Sequence, residues 1–185
     1  AVRGQGGQNS IGPERDDNLG ALRTYELLKA MSVLRVDIGW LANSRNNSIV
    51  DFGLSKSAEE TFEFWDKNYT IKRMIRMVRA YKPDIIIPTF LDVNGQHGHH
   101  RSVTRATIEA YDKSNDPEMF PDDNFGPWKI SQIFLPAWSG GGGSYDDEED
   151  PPKATHSIDV GNFNHIYGGT YNQIGEWSRS YHATQ

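Results

Sequence analysis

The chain contains no cysteine. Disulfides and thiolate metal sites are therefore excluded, and any metal must be held by His, Asp, Glu or carbonyl oxygen. This absence leaves the compartment open, because secreted proteins can also do without cysteine. No apolar run approaches the length of a membrane span. Excess positive charge is missing too: 19 Lys and Arg stand against 25 Asp and Glu, for a formal net charge of −6. That balance gives no reason to expect nucleic acid or an anionic membrane as partner. No G-x-S-x-G motif is present, which weakens a metal-independent serine hydrolase. An initiator Met and a signal peptide are also lacking. The opening "AVRGQGGQNS" reads as the interior of a domain, so the chain is expected to start downstream of a true N-terminus.

What is present suffices for one globular domain spanning 1–185: 36% of the 185 residues are hydrophobic and five are Trp. "GQGGQNSIGPERDDN" reads as loop. A helix is expected from about Leu19 to Val33, with Ala21, Leu22, Tyr25 and Leu28 as its apolar face. A short strand is expected around Val36–Trp40. "SAEE" at Ser57–Glu60 is a capping box that starts a second helix, with a break near Asn68 and an end near Ala80, before Pro83. "PDIIIPTF" reads as a strand covered on both faces, since three consecutive Ile cannot alternate. Val103, Ala106, Thr107, Ala110 and Tyr111 keep helical spacing. "WKISQIFLPAW" reads as a strand, "HSIDVGNF" as a short strand and "TYNQIGEWSRSYHATQ" as a closing helix. "SGGGGSYDDEEDPP", about 139–152, is low-complexity and is expected to be a mobile excursion. Strands alternating with helices predict a three-layer α/β domain, in which ligands bind beyond the carboxyl ends of the strands.

"NGQHGHHRSV" stands at such an edge. His97, His99 and His100 are half of the chain's six histidines. His97 and His100 are three apart, which in a helical turn puts both rings on one side. They could share one metal, or one could bind metal while the other handles a proton or an oxyanion. A polar, solvated loop is an equal alternative.

Several stretches together resemble the PIG-L/LmbE-like zinc-dependent de-N-acetylases, over nearly the whole chain. "RGQGGQN" resembles the family's Gly-rich second motif and "LRTYELLKAMSVL" the helix after it. "RAYKPDIIIPTF" resembles its Pro-Asp strand, and "HGHHRSV" its His-x-x-His-Arg motif. The tail "SRSYHATQ" resembles an extracellular or envelope-associated subgroup. The resemblance implies a Rossmann-like α/β fold with a mostly parallel sheet, and hydrolysis of the N-acetyl group of N-acetylglucosamine-type sugars. It makes His100 a zinc ligand and His97 an oxyanion partner, and leaves His99 as an exposed loop side chain. It places Arg3 on the substrate side. Gln8 and Asn9 have the chemistry for sugar hydroxyls, although either could cap the loop's own backbone. Arg101 is expected either to anchor the histidine loop through a carboxylate or to lie exposed.

The family's His-Pro-Asp-Asp motif, which brings two zinc ligands and a general base, has no counterpart here. "FPDDN" at Phe120–Asn124 has Phe where His belongs. The first strand or strands of the sheet are thus expected to be missing, with zinc bound only if upstream ligands are supplied. Self-association, or association with a missing segment of the same polypeptide, would cover the opened sheet. The acidic run Asp146–Asp150 is chemically able to hold Ca²⁺, but such runs are more often simply solvated. The alternative function is a non-catalytic structural, self-assembling or carbohydrate-binding protein on the same scaffold.

Overall fold

The computed structural model describes residues 1–42, 48–121, 124–137 and 153–185. The expected excursion at 139–152, its acidic run and the second half of "FPDD" lie outside the described residues. The chain divides into two compact units: Ala1–Ala42 with Val50–Gly53 and Ala154–Gln185, and Asn43–Ile49 with Leu54–Lys153. The described residues are mixed α/β, mostly helical, with few and short strands.

In the first unit, helix α1 spans Asp16–Leu34 and helix α5 spans Tyr171–Arg179. The face expected to be buried on α1 is the wrong one. Ala21 is exposed, and Tyr25 and Leu28 are more than half exposed. The buried positions are Leu19, Gly20, Glu26 and Ala30. With Arg23, Leu19, Glu26 and Ala30 keep the i, i+4, i+7, i+11 spacing of a single stripe. The stripe holds two charges because both have partners there. Arg23 donates to the carbonyls of Gly4 (2.9 Å) and Gln8 (2.6 Å) and to the Thr184 hydroxyl (3.2 Å). Glu26 accepts from the Thr184 N–H (3.0 Å) and hydroxyl (2.8 Å). The Gly-rich loop and the C-terminal tail are thereby fastened to one helix. Gly6 is needed in that loop, since a Cβ there would overlap the backbone of Asp51 and Gly53.

The strand expected at Val36–Trp40 does not form. The stretch makes a single parallel ladder step, Ala1 N–H to Gly39 O (2.8 Å) and Leu41 N–H to Ala1 O (2.9 Å), too short for a strand. Strands β3 (Phe163–Asn164) and β4 (Gly169–Thr170) form an antiparallel hairpin. Thr170 and Gln173 then close a reciprocal capping box that starts α5.

In the second unit, α2 spans Ala58–Trp65 and α3 spans Lys67–Tyr81. The break falls at Asp66, earlier than Asn68. Its φ of 59° interrupts the helix, and its carboxylate then accepts the Tyr69 N–H as the cap of α3. Ser57 caps α2 through the Glu60 N–H, but the box is not reciprocal: Glu60 accepts from Lys56 N–H and Ser55 Oγ instead. Helix α4 spans Gly98–Lys113. Ile71, Ile75 and Val78 of α3 pack with Ala106 and Ala110 of α4 and with Ile130. Arg79, 2% exposed, points into this end of the unit and donates to the carbonyls of Ser114, Asp116 and Phe120. It holds the turn that follows α4.

The three-layer sheet is not seen among the described residues. Strand β1 is only Ile85–Ile86, paired in parallel with β2, Gln132–Ile133. The expectation that both faces of the Ile run are covered fails. Ile86 packs on the core, whereas Ile85 and Ile87 are 53% and 60% exposed. Helices cover one face of a two-stranded ribbon, and none of the described elements covers the other.

The Thr184 clamp generates a test. Thr184→Val keeps the shape, removes the hydroxyl shared by Glu26 and Arg23, and leaves a buried carboxylate short of a donor. Equilibrium urea unfolding should show a loss of about 1–3 kcal/mol. An unchanged midpoint would show that the clamp is not holding the tail.

Candidate active site: the histidine turn

The turn is built by a close approach of two backbones. Gly98, the first residue of α4, donates its N–H to Ser55 O at 2.7 Å. A Cβ at position 98 would overlap Ser55 Oγ and the Ser57 carbonyl, so only glycine fits. Ser55 is itself buried and tied by its hydroxyl to Thr61 Oγ1 (2.9 Å) and Glu60 (3.0 Å). Glu60 is held below the ordinary carboxylate value, first by the Lys56 N–H and then by the Ser55 hydroxyl. Sequence reading gave no signal for Ser55, because the contact spans 42 residues of chain.

His97 is the N-cap of α4. Its Nδ1 faces the His99 N–H and its Nε2 faces the Ser55 N–H, each at 3.3 Å. A neutral imidazole accepts through one nitrogen only. The ring therefore faces a backbone N–H donor on each nitrogen, and its tautomer decides which of the two it serves. His100 lies one turn on, its ring 5.5 Å from that of His97. It stacks on Phe90 at 3.9 Å, nearly parallel, and its Nδ1 is 3.5 Å from Gln96 Oε1. Phe90 is placed by its own carbonyl, which accepts from Thr104 of α4 at 2.6 Å. His99 corrects the expectation of an exposed side chain. It is 7% exposed, stacked on the fully buried Trp65 at 5.0 Å and edge-on to His97. It turns inward because position 99 faces α2.

Arg101 is an anchor. Its Nε donates to Asp92 Oδ1 at 2.6 Å and its Nη1 to Lys56 O at 3.2 Å. Arg105 takes the other Asp92 oxygen and also pairs with Glu59. Burial raises the Asp92 carboxyl, but the hydrogen bonds of Arg105 and Arg101 overcome it, so the pKa is lowered. An acid just before a His-x-x-His-Arg run was a readable cue for Asp92. Phe90, Gln96 and Trp65 carried none.

Arg3, Gln8 and Asn9 lie in the first unit. Arg3 donates to Thr24 Oγ1 (2.8 Å) and covers the Trp40 ring at 4.2 Å. Gln8 is exposed. The Asn9 amide shapes the loop: Oδ1 accepts from Ile11 and Gly12 N–H, and Nδ2 donates to Glu14. Among the described residues no three His, Asp or Glu side chains converge so as to hold a metal. The described residues therefore do not fit a complete zinc centre.

A His-x-x-His-Arg turn thus opens α4 beyond the parallel pair of β1 and β2 in a mixed α/β chain. Residues 1–111 match the family PIG-L, GlcNAc-PI de-N-acetylase, and the chain belongs to that family, whose members are generally zinc-dependent. A 1D-myo-inositol 2-acetamido-2-deoxy-alpha-D-glucopyranoside deacetylase of Streptomyces scabiei is 29% identical over 132 residues, 67% of this chain and 39% of that protein. A namesake from Frankia alni, deacetylase 1, is 28% identical over 131 residues, 66% of this chain and 43% of its own. A mycothiol S-conjugate amidase of Streptomyces coelicolor is 26% identical over 119 residues, 60% and 38%. The chain thus spans about two fifths of the length of these relatives. No described helix is long and apolar enough to cross a membrane.

Two substitutions test the construction of the turn. Gly98→Ala should destabilise by about 1–3 kcal/mol, the scale of an overpacked contact, and should shift the His97 and His100 ring signals in NMR spectra. Unmoved rings would refute the close-approach argument. Asp92→Asn should cost roughly 1–3 kcal/mol at pH 7, the scale of a hydrogen bond to a charged group. The Asp92 pKa is depressed on folding, so its stabilisation is present above the unfolded value near 4 and is lost as pH falls through the lower folded value. The gap between wild type and variant should therefore close on acidification below about pH 4. A gap that stays constant to pH 2 would contradict the ion-pair assignment.

Proposed function

We propose that this chain carries the histidine half of an amide-hydrolysing site that removes acetyl groups from N-acetylglucosamine-type conjugates. The observation that carries the reading is the pair His97 and His100 at the start of α4, rings 5.5 Å apart and fixed by the Gly98–Ser55 contact. The family and the printed activities of its relatives support the reaction class. In the reaction, a water oxygen bonds to the acetamide carbonyl carbon and the C–N bond breaks. The proton ends on the amine, giving acetate and the amino sugar. His97, three residues before His100, is proposed as the partner of the oxyanion that develops on the carbonyl oxygen. His100 is the residue proposed to face a zinc ion. In the first unit, taken by itself, Arg3 and Gln8 are exposed and have the chemistry to meet sugar hydroxyls, and the Asn9 amide holds the loop that presents Gln8.

A second reading is favoured because no third donor joins His97 and His100 among the described residues: a scaffold that binds N-acetyl sugars without hydrolysing them. Acetate release from N-acetylglucosamine conjugates, measured on the protein as it is natively expressed, separates the two. Hydrolysis that needs zinc, and that His100→Ala lowers about a hundredfold or more, is the expected result. Release unaffected by His100→Ala would end the assignment; saturable sugar binding with no release would favour the second reading.

A further inference from the structure

A cavity of about 220 Å³ opens beside His100, entirely within the second unit. Phe90, Leu91, Val93, Pro136 and Ala137 give it apolar walls, and Thr89 and Gln96 are its polar lining. Two of these walls are also the contacts of His100: Phe90 stacks on its ring and the Gln96 amide faces its Nδ1. Whatever fills the cavity therefore lies one side chain from the imidazole proposed at the reacting centre.

The lining selects the chemistry. A pyranose carries a hydroxyl on most of its carbons, and each loses water on entry unless it finds a partner. One threonine hydroxyl and one amide, the latter already facing His100, cannot satisfy that many groups. None of the described residues that line the cavity is charged, so they offer a carboxylate or phosphate no counter-ion. A saturated carbon chain needs neither. Size points the same way. A cavity of ~150 Å³ accepts benzene, so 220 Å³ is far more than an acetyl methyl fills and holds a chain of about six carbons.

We propose that this cavity is an acyl subsite. It takes the carbon chain of the scissile N-acyl group and favours chains longer than acetyl. The proposal rests on the amide-hydrolase reading above. In that setting the sugar lies outside the cavity, the carbonyl stands beside the His97–His100 pair, and the chain runs between Phe90, Leu91 and Val93. Gln96 joins the two parts, lining the cavity and facing the imidazole that flanks the carbonyl.

The test is a chain-length series on the 185-residue chain, read by shifts of the Leu91, Val93 and Gln96 amides in NMR titrations. The probes are N-acetyl-, N-butyryl- and N-hexanoylglucosamine, with acetate and hexanoate as sugar-free arms. Each buried methylene is worth up to about fourfold in affinity, so hexanoyl should bind at least about tenfold more tightly than acetyl. Hexanoate should perturb the same amides at concentrations where acetate does not. Ala137→Leu, which narrows the cavity from a terminal wall, should bring the hexanoyl-to-acetyl ratio toward one; Val93→Phe does the same from the opposite segment if the first variant folds poorly. N-acetylglucosamine binding with no gain from chain length overturns the subsite and leaves the hydrolase reading standing. Hexanoate binding with no response to any N-acylglucosamine overturns both.

Discussion

The histidine site depends on one backbone contact. Gly98 N–H meets Ser55 O at 2.7 Å, a distance that no side chain at position 98 would allow. From that contact follow the start of α4, the capping role of His97, the inward turn of His99 onto Trp65 and the outward placement of His100 against Phe90. Asp92 supports the same turn from the other side, gripping Arg101 and Arg105 one helical turn apart. The ring pair is thus positioned by elements far apart in sequence, and its geometry is set before any ligand arrives.

The sequence showed the helices well and the sheet badly. Ser57, Asp66 and Thr170 are caps whose chemistry is local, so the starts of α2, α3 and α5 follow from short-range rules. The buried face of α1 was misread because its stripe carries Arg23 and Glu26. Hydropathy treats both as solvent-facing, whereas their partners are the Gly4 and Gln8 carbonyls and Thr184. Those contacts join residues up to 161 positions apart, and periodicity holds no record of them. The Ile run was legible as a strand but not as a half-covered one. Exposure of Ile85 and Ile87 is set by which layers are present, a property of the assembly and not of the run.

Within the site, the legible part was the motif itself. His97 and His100 at i, i+3 do lie side by side, and Arg101 does reach a carboxylate. The distinction between the three histidines was only partly legible. Helical spacing separates 97 and 100 from 99, but a buried stack on Trp65 needs α2 to be in place. Ser55, Phe90 and Gln96 surround the pair from segments with no motif of their own. Asn9, for which a sugar contact and a backbone cap are both open in the sequence, spends its amide on the loop that contains it. That is the usual competition for a short polar side chain beside glycines.

The central claim is that these histidines are one prospective ligand, one oxyanion partner and one core residue, and not a three-ligand cluster. Long-range ¹H–¹⁵N spectra of the imidazoles during addition of Zn²⁺ test it most directly. The account predicts that the His100 ring responds and that His99 stays unchanged at every concentration where the fold persists. Equal responses from all three rings, or a response from His99 with His100 silent, would contradict it.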